Sequence, residues 1–146
     1  MRVLRGDIIV EIAAKDIQVG DILYLTEDEE IPADCVVLYS SNPNGICYIQ
    51  TTNIDGETNL KLRTAATPTQ TLLSHNSSAE EVGKELSSLN ISIECPLPNS
   101  HIYQFPALYS FSWNLIPRIH CEKESAPLSS SSLFLQVCHV RNTEFM

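Results

Sequence analysis

Within residues 8–51 every apolar run is cut off by a turn signal before it reaches helical length. Ile8-Ile9-Val10-Glu11-Ile12 stops at Ala13-Ala14-Lys15-Asp16, and Ile22-Leu23-Tyr24-Leu25 opens after Val19-Gly20-Asp21. Cys35-Val36-Val37-Leu38-Tyr39 lies between Pro32 and Asn42-Pro43-Asn44-Gly45. A strand is complete in about 4–8 residues, whereas a helix needs about 10–12 to present an apolar stripe. The runs are rich in β-branched and aromatic side chains, which suit a pleated surface. Residues 6–63 are therefore expected to form a β core. The 35–39 run is apolar on both faces and predicts a central strand. Asn44-Gly45 predicts a hairpin, since both residues tolerate positive φ. Its return strand, 46–51, would deliver the chain into Asp55-Gly56-Glu57-Thr58.

Beyond residue 63 the pattern changes. Thr, Pro, Ser and Asn dominate from Thr64 to Ser78, which reads as a surface loop. Ser78-Ala79-Glu80-Glu81 fits a capping box. Val82, Leu86 and Leu89 then share one helical face, which predicts a short amphipathic helix over 79–89. Tyr103, Phe105, Tyr109, Phe111 and Trp113 alternate with period two and predict core-facing strand positions. Ser129 to Ser132 reads as a polar linker before a final strand, Leu133 to Val140. The expected organisation is one partial domain over 1–146. Its parts are a core (6–63), a loop-rich insertion with the helix (64–130) and a returning strand (131–146).

Eighteen acidic against nine basic residues give a net charge of −9, which argues against nucleic acid and against an anionic membrane surface as partners. No apolar stretch approaches the roughly 20 residues that span a bilayer. Five cysteines without a C-x-x-C pair favour reduced, buried thiols, at least for Cys35 and Cys47. Four scattered histidines show no metal-ligand spacing, and Glu27-Asp28-Glu29-Glu30 reads as a solvated loop. No metal site is expected in this chain. P-loop, G-x-S-x-G and Rossmann fingerprints are absent.

Asp55-Gly56-Glu57-Thr58 is the stretch with chemical potential. By itself such a sequence is a common solvated turn. Held on a β scaffold, Gly56 permits positive φ and close approach to another surface. Glu57 at the tip would project a carboxylate able to orient a water and accept its proton.

The neighbouring blocks give the loop a context. Asp16-Ile17-Gln18-Val19-Gly20-Asp21-Ile22, Ile31-Pro32-Ala33-Asp34 and Cys47-Tyr48-Ile49-Gln50-Thr51 resemble, in order and spacing, the actuator domain of P-type ATPases. The D-G-E-T form, extended by Asn59-Leu60-Lys61, resembles the type IV branch, the phospholipid-transporting flippases; ion pumps usually carry T-G-E-S there. Ile93-Glu94-Cys95-Pro96-Leu97-Pro98-Asn99 and Leu133-Phe134-Leu135-Gln136 through Glu144 are similar to type IV sequences as well. Ile54 stands where the family usually has Leu.

The resemblance implies a mainly β, distorted jelly-roll-like actuator domain with a short helix, on the cytosolic face of a membrane. It implies that Glu57 positions and activates the water that hydrolyses an aspartyl phosphate. Gly56 would allow close approach, and Asp55 and Thr58 would shape the loop and contact the phosphate site. ATP and Mg2+ would serve the full-length enzyme, and the phosphorylation domain of the same protein would be the partner. The phospholipid and an accessory two-span subunit would meet other regions. With no D-K-T-G-T motif or membrane span, the chain is expected to be a fragment, inactive alone, with an open sheet edge. The alternative of a different class is a stand-alone, non-catalytic β-rich interaction module derived from such an ATPase.

Overall fold

A computed structural model describes residues 1–76 and 78–95 in full, and the backbone of 108–112, 119–122 and 132–140. The fold is mainly β. Arg2–Arg5 (β1), Ile8–Glu11 (β2), Ile22–Thr26 (β3), Ala33–Ser40 (β4) and Ser132–Val140 (β10) form one sheet in the order β2-β1-β3-β10-β4. Ile46–Ile49 (β5) pairs with Lys61–Thr64 (β6), with Thr52–Asp55 (α1) between them. Thr67–Leu73 (α2) and Ala79–Ser88 (α3) follow. Asn90–Glu94 (β7), Leu108–Ser112 (β8) and Ile119–Glu122 (β9) form a third, antiparallel sheet.

Period-two alternation gives the five-stranded sheet two apolar faces. Val3, Leu23, Leu25, Ala33 and Val37 point to one side, where Cys47 of β5 and Ala65 cover them. Leu4, Leu38 and Tyr39 point to the other, under Leu73 of α2 and Val82 and Leu86 of α3. Leu38 and Tyr39 are consecutive yet share a face because the β4–β10 register shifts opposite them, between Phe134 and Leu135. Such an irregularity lets two neighbouring residues oppose one partner. The helix α3 carries the expected capping box: Ser78 Oγ accepts from the Glu81 amide, and Glu81 Oε2 accepts from the Ser78 amide.

Three sequence expectations are corrected. First, β4 is an edge strand, not a central one. It is apolar on both faces because both faces are covered, which does not require a partner on each side. Second, the Asn42–Gly45 turn forms, with the Gly45 amide donating to the Asn42 carbonyl at 2.8 Å and Gly45 at φ +67°. It does not make a β4–β5 hairpin, however. The Ser40 hydroxyl donates to the Ile46 carbonyl and accepts from the Asn42 amide, and the chain turns a corner from one sheet into the other.

Third, residues 64–78 are not a surface loop. They include the end of β6 and all of α2, with Pro68 in its first turn, where its missing N–H costs nothing. Thr69 and Gln70, polar yet buried, are used on β4: the Thr69 hydroxyl donates to the Leu38 carbonyl, and Gln70 bonds both backbone groups of Ser40. These bonds, with the Ala66 amide on the Val37 carbonyl, cover the outer edge of β4; the open edge expected near the end of the chain falls on residues 141–146, outside the described residues. The strand β1 was not anticipated. Of the alternating aromatics, Tyr109 and Phe111 fall in β8, and Tyr103, Phe105 and Trp113 lie outside the described residues, as does most of the 129–132 linker.

The Cys47 thiol is fully buried against the core, and burial pushes its pKa upward. Thiolate is the reactive form. Alkylation of the native chain should therefore spare Cys47 until denaturant is added, as mass spectrometry of iodoacetamide-treated protein would report.

Candidate active site

The D-G-E-T segment is not a simple tight turn but the end of a helical turn that closes the β5–β6 hairpin. The Thr51 carbonyl accepts from the amides of Ile54 and Asp55, and the Thr52 carbonyl from that of Gly56. Gly56 then takes φ +76°, ψ 0° and ends the turn in the left-handed conformation. A Cβ built there meets nothing within 4 Å, so backbone conformation rather than packing requires glycine. The same open space leaves the backbone accessible to an incoming surface.

Asp55 is the internal fastener. Its side chain is 6% exposed. Oδ2 accepts from the Thr51 hydroxyl at 2.8 Å and from the Lys61 ammonium, while Oδ1 accepts from the Glu57 amide at 2.9 Å. The Thr52 hydroxyl donates to the Glu57 carbonyl at 2.9 Å. Glu57 is thus pinned at both backbone groups, while its side chain stays 62% exposed. Its Oε2 lies 3.2 Å from Lys61 Nζ. Thr58 is exposed beside it. The four expected site residues therefore lie on one short segment; the residue sequence reading did not assign is Lys61. The signal for it was present: a lysine following two acids, on the first residue of the returning strand.

Electrostatics follow the geometry. The Lys61 ammonium, then the Glu57 amide and the Thr51 hydroxyl, hold the Asp55 carboxyl down at about 2, against the raising effect of burial. Asp55 in turn raises the Lys61 pKa. Because the Asp55 value is depressed, its contribution to loop stability is complete above about pH 4 and is lost as pH falls toward 2. A carboxyl-carbon NMR titration should find Asp55 ionised through pH 3, well after exposed aspartates have protonated.

Around the loop, Tyr48, Ile54, Leu60 and Leu62 are all exposed. The acidic run near residue 29 has a structural role: Glu29 Oε2 accepts from Arg2 at 2.5 Å and from the Thr26 amide at 2.6 Å. Among the described residues, no group of His, Cys, Asp and Glu is arranged to hold a metal ion. Nor, among them, is any helix long and apolar enough to cross a membrane.

Comparison with known proteins gives the chain a family. Residues 1–79 match the family model of the P-type ATPase actuator domain. Phospholipid-transporting ATPase C887.12 of Schizosaccharomyces pombe is 38% identical over 144 residues, 99% of this chain and 10% of that protein. Mouse phospholipid-transporting ATPase IK is 34% identical over 98% of the chain and 9% of its own length. Human phospholipid-transporting ATPase VD is 38% identical over 89% of the chain and 8% of its own. The chain thus spans about a tenth of the length of these curated relatives.

Proposed function

The chain belongs to the actuator-domain family of P-type ATPases, and from that premise we propose that it acts within a phospholipid-transporting ATPase, at the cytosolic face of a membrane, to drive hydrolysis of the aspartyl phosphate. Glu57 is the general base. It takes a proton from a water whose oxygen attacks phosphorus, the bond from phosphorus to the aspartyl oxygen breaks, and inorganic phosphate and the free aspartate carboxylate result. Little beyond placement and proton acceptance is needed for such a step. Gly56 lets the backbone approach the phosphate, and Asp55 and Thr58 shape the loop beside it.

The observation that carries this reading is the fixed backbone and outward carboxylate of Glu57. The exposed Tyr48, Ile54, Leu60 and Leu62 around it suit a surface that another domain covers. That domain is the phosphorylation domain of the same full-length protein, which with the nucleotide-binding domain holds ATP and Mg2+. The lipid and an accessory two-span subunit meet other regions, so the segment alone turns nothing over. The test is phosphoenzyme decay after an ATP chase in a full-length ATPase carrying this segment with Glu57→Gln. Slow decay after normal phosphorylation supports the assignment; decay at the wild-type rate overturns it.

A further inference from the structure

Glu57 has a fixed backbone but a long, exposed side chain, and its carboxylate must still be brought to one place. Lys61 is built to do this. It opens β6 and pairs in register with Ile49 of β5, on the face of the hairpin that also carries Cys47 and its partner Arg63. Its side chain is only 26% exposed, and its ammonium sits on the nearly buried Asp55 carboxylate. From that anchor it reaches Glu57 Oε2 at 3.2 Å. An isolated surface ion pair contributes little, because two mobile side chains must be ordered to form it. Here one partner is already ordered by another carboxylate, so only Glu57 has freedom left to lose.

We propose that Lys61 is a positioning residue for phosphoenzyme hydrolysis, anchored by Asp55 and holding the Glu57 carboxylate in the pose that meets the phosphate-bound water. The inference rests on the assignment of Glu57 as general base. The ion pair occupies Oε2. The Glu57 side chain is nevertheless 62% exposed, so water can reach its carboxylate. Asp55 thereby acts at two removes, fixing the Glu57 amide directly and the Glu57 carboxylate through Lys61.

The experiment is a double-mutant cycle on phosphoenzyme decay in a full-length ATPase carrying this segment. Lys61→Met removes the charge and should slow decay by about 3- to 10-fold, the range expected for restoring the freedom of one long side chain. Lys61→Arg, which keeps the charge, should recover most of the rate. In the Glu57→Gln background Lys61→Met should add nothing, because the carboxylate it positions is gone. A purely structural lysine would slow both backgrounds alike, and that result would overturn the proposal, as would unchanged decay in Lys61→Met alone. Phosphorylation by ATP reports whether each variant is folded. If Lys61→Met fails there, Lys61→Gln, which can still donate to Asp55, enters the same cycle and is judged by the same outcomes. Wild-type decay in Glu57→Gln itself would remove the general base and the underlying reading, a result distinct from additivity in the cycle.

Discussion

Glu57→Gln should leave phosphorylation by ATP intact and slow hydrolysis of the phosphoenzyme by about 10²- to 10⁴-fold, the usual range for losing general-base assistance. Glutamine preserves size and shape and can still touch Lys61 through its carbonyl, so the loop should keep its form. What it loses is the ability to accept a proton. Under the proposed function phosphorylation takes place in other domains and should be spared, so the covalent intermediate should accumulate and lipid transport should stall. The measurement is the amount of acid-stable phosphoenzyme through an ATP chase. The control is Glu27→Gln, the same charge change in the exposed turn after β3. Glu29 would be a poor control, since it holds Arg2 and the Thr26 amide and its loss would disturb the sheet.

The second large effect concerns stability. Gln70 acts as a side-chain substitute for a neighbouring strand: its carbonyl accepts from the Ser40 amide at 2.9 Å, and its amide donates to the carbonyls of Ser40 at 2.9 Å and Asn42 at 3.2 Å. Gln70→Ala removes all three bonds from a buried corner and should cost about 2–4 kcal/mol, since abandoned buried polar groups are expensive. Gln70→Glu should be no milder. It keeps an acceptor for Ser40 but sets a carboxylate against two carbonyls. Urea midpoints of the 146-residue chain would measure both, with exposed Thr71→Ala as a control expected within about 0.5 kcal/mol of wild type. A small effect of Gln70→Ala would mean that water replaces the side chain at the corner.

These two residues mark how far the sequence was legible. The β2, β3 and β4 strands follow from run length and alternation, and α3 from its capping box, because those signals are local. The D-G-E-T segment and its flanking blocks point to the actuator family for a related reason: their residues are consecutive in the chain. What escaped is non-local. Thr69 and Gln70 read as loop residues because polarity alone does not tell that a strand edge thirty residues earlier needs donors and acceptors. The strand β1 offers just Val3 and Leu4 between two arginines, too few residues for alternation to register. Asn44-Gly45 specified a turn correctly but not the destination of the chain leaving it. Lys61 is the local exception: it lies six and four residues from its carboxylate partners, but a lysine after two acids does not by itself distinguish an ordered ion-pair cluster from a solvated charge run.

The placement of β10 has a consequence in time. The strands β3 and β4 are neighbours in sequence, yet in the sheet β10 lies between them, and 91 residues separate the end of β4 from its start. A ribosome adding about 5–20 residues per second needs roughly 5–18 s to cover that distance. Through that interval β3 and β4 have emerged while the strand that joins them does not yet exist. The nascent chain must keep these two ladders from pairing with each other or with a neighbouring chain. A late-closing sheet of this kind leaves the edges of β3 and β4 open to mispairing during synthesis.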